Sequence, residues 1–157
     1  MRFLVFSDTH GHTAAMERAV AAQSTATHIL FLGDGLRGVE QMAEWFPDRT
    51  FAAVAGNGDY DSLLPSTRLL EWGGLRIFLC HGHTLAVKST TERVKQSALA
   101  QGASIALYGH THVAALHYTD GLWLMNPGSI AVPRDGSAGY GVIDITDNGV
   151  VPFLVKV

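Results

Sequence analysis

Apolar residues come in short runs along this chain, and their spacing predicts the elements. "RFLVFS" (2–7) reads as a strand, and "TAAMERAVAAQ" (13–23) as a helix with Met16, Ala19, Val20 and Gln23 at helical spacing. "HILFLGD" (28–34) is a second strand, "GVEQMAEWF" (38–46) a helix and "TFAAVAGNGD" (50–59) a third strand. This βαβαβ order is the signature of a mainly parallel sheet, and hence of an α/β fold. The pattern then changes. "TRLLEWGGLRIFLCHGH" (67–83) is two strand-like runs around a Gly-Gly turn, which predicts an antiparallel hairpin. "TERVKQSALAQG" (91–102) is helical and closed by Gly102 in a C-cap position, and "ASIALYGHTH" (103–112) returns to strand. The tail, 116–157, is strand-rich with Asp-Gly and Asn-Gly turns, which predicts a run of hairpins. No linker, repeat or low-complexity segment divides the chain, so residues 1–157 are expected to form a single domain.

Composition narrows the function classes. The 157 residues are 47% hydrophobic and 16% charged, yet no apolar run approaches the roughly 20 residues of a membrane helix. The first apolar stretch is too short for a signal peptide and has no small-residue cleavage site. The single cysteine, Cys80, excludes an internal disulfide and fits a reducing compartment, so a cytoplasmic protein is expected. A net charge of −3 offers no basic footprint for nucleic acid and no polybasic patch for a membrane surface. Any phosphate must therefore be met by something other than lysine and arginine. The low charge content leaves room for an apolar homo-oligomer interface.

Polar, metal-competent residues recur wherever an apolar run ends. They are Asp8 and His10 after "RFLVFS", Asp34 after "ILFLG", Asn57 and Asp59 after "AAVAG", His81 and His83 after "IFLC", and His110 and His112 after "IALYG". Each piece alone has a plain explanation, since Gly-Asp and Gly-Asn are ordinary turn chemistry and His-x-His arises by chance. Turns do not need histidines and aspartates at every strand end, however. In open α/β sheets the ligand site lies beyond the carboxyl ends of the strands, where residues scattered in sequence converge. Gly33, Gly56, Gly82 and Gly109 stand beside the candidates, as expected where backbone turns sharply or passes close to another group. Asp8, His10, Asp34, Asn57, His81, His110 and His112 are too many ligands for one ion and suit two. The mixed nitrogen and oxygen set argues against a structural zinc site and against a calcium cage. Two metals about 3.5–4 Å apart form a clamp for in-line displacement at phosphorus.

The motifs "SDTHG", "LGD", "GNGD", "CHGH" and "GHTH", in this order at strand ends, resemble the calcineurin-like metallophosphoesterase superfamily, specifically its small single-domain phosphodiesterase branch. "NPGS" (126–129) resembles a turn typical of that branch. The resemblance implies a four-layer α/β/β/α sandwich and a dinuclear phosphoesterase, foremost a phosphodiesterase, acting on a small phosphoester by in-line attack of a metal-bound hydroxide. It implies one metal held by Asp8, His10 and His112, a second held by Asn57, His81 and His110, and Asp34 bridging them. The cofactors implied are two divalent transition-metal ions, with manganese foremost and iron, zinc or nickel as the alternatives. Asn57, Asp59 and His83 are the candidate catalytic residues, Asp59 as a group that orients a ligand or a neighbouring histidine. Ser7, Thr9 and Thr111 read as supporting or turn hydroxyls.

The chain departs from the resembled pattern at two positions. Relatives with strong monoesterase activity have histidine directly after the Gly-Asn, and small phosphodiesterases often have cysteine there; here it is Gly58. His83 or His12 would have to supply the missing acid. The arginine often found before the Gly-Asn is replaced by Ala55. Three rival readings share some of these residues. "DTHGHT" also looks like the opening of polymerase-and-histidinol-phosphatase-type hydrolases, which would recruit His12 and leave "GNGD" unexplained. A metallo-β-lactamase-type site wants His-x-His-x-Asp-His, and "HTHVAA" stops short of it. A relative in the same superfamily serves as a non-catalytic scaffold subunit in retromer trafficking after losing some ligands, whereas here the ligands are intact.

Overall fold

The computed structural model describes all 157 residues. Ten strands form two five-stranded sheets, and three helices cover them. The first sheet contains β1 (Arg2–Phe6), β2 (Ala26–Phe31), β3 (Thr50–Ala53), β9 (Gly139–Thr146) and β10 (Gly149–Lys156), in the order β10-β9-β1-β2-β3. Strands β1, β2 and β3 run parallel, joined by α1 (Ala14–Ala22) and α2 (Leu36–Trp45), as the βαβαβ pattern predicts. The second sheet contains β4 (Thr67–Trp72), β5 (Leu75–Cys80), β6 (Ile105–Leu107), β7 (Ala114–Thr119) and β8 (Leu122–Pro127), in the order β4-β5-β6-β8-β7. The β4–β5 hairpin turns at Gly73 and Gly74, and α3 (Glu92–Ala100) connects β5 to β6.

Alternating side chains explain the layering. In β1, Leu4 and Phe6 face α1 and α2, whereas Phe3 and Val5 face the second sheet. Ile29 and Phe31 of β2 take the helix side, and Leu30 takes the other. Strand β5 sends Ile77 and Leu79 inward between the sheets, and Phe78 and Cys80 outward to Val94 and Ala98 of α3. A strand covered on both faces has no solvent side, so its sequence is a continuous apolar run. The three apolar layers separate four layers of structure, the α/β/β/α sandwich that the resemblance implies.

The tail differs from a simple run of hairpins. The Asp120-Gly121 hairpin, β7–β8, joins the second sheet, where β8 lies parallel to β6. The Asn148-Gly149 hairpin, β9–β10, joins the first sheet beside β1. The segment between β8 and β9 therefore crosses from one sheet to the other and passes the ligand loops. Turn chemistry specified the hairpins, but the partner of each was a long-range choice. Strands β3 and β6 are also shorter than the apolar runs suggest, because residues 54–59 and 108–112 leave the ladders to form ligand loops.

Candidate metal centre

The loops that follow β1, β2, β3, β5 and β6 meet at one end of the sandwich and bring the predicted ligands together. Asp8, His10 and His112 form one group and Asp34, His81 and His110 another, with the donor atoms of each group within 4.8 Å of one another. In the first group His112 Nε2 lies 3.3 Å from Asp8 Oδ1 and 3.2 Å from His10 Nε2. In the second, His81 Nε2 lies 3.2 Å from His110 Nδ1, and Asn57 Oδ1 adds a further oxygen 3.1 Å from His81 Nε2. Asp34 Oδ2 stands between the groups, 3.7 Å from His10 Nε2 and 3.5 Å from His81 Nε2.

Strained backbone aims these side chains. Asp8, His10, Asp34, His110 and His112 all have positive φ, between 47° and 67°, a region costly for non-glycine residues. Hydrogen bonds hold them there. Asp8 Oδ2 accepts from Ser7 Oγ at 2.6 Å and from the His110 N–H at 3.0 Å. Ser129 Oγ donates to the Asp8 carbonyl at 2.7 Å, and Asn126 Nδ2 donates to the Gly109 carbonyl at 3.0 Å and to Thr111 Oγ1 at 2.9 Å. The "NPGS" stretch is thus the brace that positions two ligand loops. Two glycines make close approach possible. A Cβ on Gly56 would lie 2.1 Å from Asp34 Oδ1, and one on Gly109 would lie 2.0 Å from Ser7 Oγ.

The donor atoms are arranged for cations. His81 Nδ1 bonds the Leu32 carbonyl at 2.6 Å, and His112 Nδ1 bonds the Val132 carbonyl at 2.8 Å. A carbonyl only accepts, so each ring carries its proton on Nδ1 and turns Nε2 toward the site. Around His81 Nε2 stand Asn57 Oδ1, His110 Nδ1 and Asp34 Oδ2, a convergence of acceptors that needs a positive charge among them. Asp8 Oδ1 is fully buried and has no hydrogen-bond partner. A buried carboxylate oxygen left unpaired is costly, and a metal would satisfy it.

The titrating groups respond to the same crowding. Burial pulls the His81 imidazole down, but its contact with Asp34 and the charges of Asp8 and Asp34 outweigh this, so its pKa is raised. Burial pushes Asp34 up, yet the His81 contact and the Gly58 N–H, 2.7 Å from Oδ1, hold its carboxyl down at about 2. His110 is lowered to about 4, chiefly by burial and then by the neighbouring His81 charge.

Asp59 is beside the site but faces backbone. Its Oδ2 accepts from the Asp34 N–H at 2.7 Å and the Gly56 N–H at 2.8 Å, while Oδ1 accepts from the Gly35 and Leu36 N–H groups at 2.9 and 3.0 Å. One carboxylate thereby ties the loop after β3 to the start of α2. His83, on a 3-10 turn (His83–Leu85), packs its ring 5.4 Å from His81 and 6.1 Å from His110, and its buried Nδ1 has no partner. Burial and then the His81 charge lower its pKa. His12 lines a separate cleft of about 650 Å³ with Arg18, Ile130 and Val132. His28 packs against Phe3 and Trp72, and His117 lies on β7; neither meets a ligand. Sequence reasoning did not assign Leu32 or Val132, whose backbone carbonyls carry no side-chain signal.

Residues 1–148 match the family model of the calcineurin-like phosphoesterase superfamily domain. The chain belongs to that family. It is 31% identical over 134 residues to a probable metallophosphoesterase, YsnB, of Bacillus subtilis, covering 85% of this chain and 78% of that protein. It is 29% identical over 168 residues to phosphodiesterase YfcE of Escherichia coli, covering 92% and 88%. Among solved structures, a predicted phosphoesterase from Streptococcus pneumoniae superposes with a TM-score of 0.80 at 24% identity, covering 98% of this chain and 97% of that one. Zinc-complexed Vps29 from Entamoeba histolytica superposes at 0.73 with 20% identity, covering 99% of each chain. These two likenesses are of fold. Membership agrees with the four-layer sandwich. No helix is long and apolar enough to cross a membrane.

Proposed function

We propose that this member of the family is a dinuclear phosphodiesterase that hydrolyses a small phosphoester. The observation that carries the reading is the pair of convergent donor groups with Asp34 between them and Asp8 Oδ1 buried without a partner. Asp8, His10 and His112 would hold one divalent transition metal, Asn57, His81 and His110 the other, and Asp34 both, with manganese the first choice. Such a pair supplies positive charge against phosphoryl oxygens and lowers the pKa of water. The chain's own residues do the rest. Leu32 and Val132 fix the tautomers of His81 and His112, and Ser7, Asn126 and Ser129 hold the loops that aim Asp8 and His110. Asp59 keeps Asp34 in place through the backbone. His83, whose ring packs 5.4 Å from His81 and 6.1 Å from His110, would be the side chain that holds or gives a proton to a leaving oxygen.

Gly58 favours diesters over alkyl monoesters, since no imidazole there protonates a departing alkoxide and no arginine at Ala55 offsets a dianion. A cytoplasmic setting completes the reading and rests on the lone Cys80. The test is elemental analysis of metal-reconstituted protein together with hydrolysis of bis(p-nitrophenyl) phosphate and of alkyl monoesters. Two ions per chain and preferential diester turnover are expected. A single four-coordinate ion with His81 or Asn57 turned away would overturn the dinuclear site. A folded protein that holds metal poorly and hydrolyses no ester would point to a scaffold.

A further inference from the structure

A second feature of the site lies on the Asp34 side. A cleft of about 550 Å³ opens there, with His10, Asp34 and Gly58 at its inner end and Arg37, Tyr60 and Asp61 on its outer wall. That volume suits a drug-sized group and far exceeds what a phosphoryl group needs. Gly58 lines its inner end, where a Cβ would stand 3.1 Å from Asp34 Oδ1.

The outer wall has a definite chemistry. Arg37 donates from Nε and Nη2 to Asp61 Oδ2, which neutralises both charges and leaves Arg37 Nη1 as a donor and Asp61 Oδ1 as an acceptor. Asp59 is spent on four backbone N–H groups and offers nothing to a ligand. Tyr60 is 93% exposed, so its ring presents a face that no part of the chain covers. An anionic arm would have to break the Arg37–Asp61 pair and then face Asp61. A methyl arm would leave the cleft empty. A planar, neutral arm with hydrogen-bonding edges satisfies the ring and the ion pair together.

We propose that this cleft binds a nucleoside arm of the phosphodiester, with the base stacked on Tyr60 and its polar edge read by the Arg37–Asp61 pair. The inference rests on the phosphodiesterase reading and adds the substrate class.

Two esters with the same leaving group test it: thymidine 5′-(p-nitrophenyl phosphate) and methyl p-nitrophenyl phosphate. In the metal-reconstituted chain, kcat/KM for the thymidine ester is expected to exceed that for the methyl ester by about tenfold, within what stacking one base on an aromatic ring is worth. Tyr60→Ala should erase most of that ratio, and Arg37→Ala should reduce it by about threefold. Both side chains are exposed, so the fold tolerates their loss. A ratio near one in the native chain, or a ratio unmoved in both variants, overturns the proposal. If neither ester is hydrolysed, the phosphodiesterase reading fails, and the cleft is judged by saturation-transfer NMR with thymidine 5′-(methyl phosphate). Base-proton signals present in the native chain and lost in Tyr60→Ala support it; signals absent, or equal in both, overturn it.

Discussion

Asp59→Ala separates positioning from chemistry at this site. The Asp59 carboxylate accepts four backbone N–H bonds, of which three come from the buried residues Asp34, Leu36 and Gly56. Water can reach the fourth donor, Gly35, more readily. With about 1–1.5 kcal/mol for each of the three buried N–H groups left without an acceptor, the substitution should cost about 3–4.5 kcal/mol, a large share of a small domain's stability. Asp59→Asn keeps one acceptor oxygen but sets an NH₂ against two N–H donors, so it should cost about 2–3 kcal/mol. The loss is coupled to metal binding, because the Asp34 N–H is one of the four and Asp34 sits at φ 61°. Urea titration gives the midpoint and slope, and elemental analysis of the same preparations gives bound metal. An unchanged slope with a lower midpoint, accompanied by weaker metal retention, is expected. A variant as stable as the native chain within about 0.5 kcal/mol, with full metal and a hundredfold loss of kcat, would refute the anchoring role and make Asp59 a catalytic residue.

Asp34→Asn should release metal far more readily than His12→Ala, since Asp34 Oδ2 faces both donor groups and His12 lines a different cleft; equal losses would instead favour the His-x-His reading of "DTHGHT". In metal-free protein the Asp34 carboxyl, held at about 2 against 3.8, stabilises the fold above its unfolded pKa, and this stability is lost as the pH falls through about 2. The gap between native and Asp34→Asn urea midpoints should therefore narrow from pH 5 to pH 2, and a constant gap would contradict that origin. For esters of graded leaving-group pKa, kcat/KM should fall steeply in the native chain and less steeply in Gly58→His. There the new Cβ would lie 3.1 Å from Asp34 Oδ1, so that carboxylate must give by a few tenths of an ångström, and bound metal is measured alongside. A flat dependence in the native chain that steepens in His83→Ala would assign the proton to His83.

The apolar runs, the turn residues and the glycines made much of the architecture legible, because burial on two faces leaves a continuous hydrophobic signature. The run in β1 is explained by Phe3 and Val5 facing one core and Leu4 and Phe6 another. The recurrence of Asp, Asn and His at strand ends likewise pointed to a shared centre before any geometry was known. What the sequence left open was long-range. Turn chemistry set the two tail hairpins, but their division between the sheets depends on which edge each can complete. That division carries Ser129 and Val132 past Asp8 and His112. The role of Asp59 was likewise hidden, because a carboxylate two residues after a ligand is equally able to face a metal or four N–H groups until the chain brings α2 alongside. The cleft of Arg37, Tyr60 and Asp61 carries no motif at all. Local sequence determines which backbone a segment prefers and which atoms it can offer; only packing over tens of residues decides which of those atoms meet.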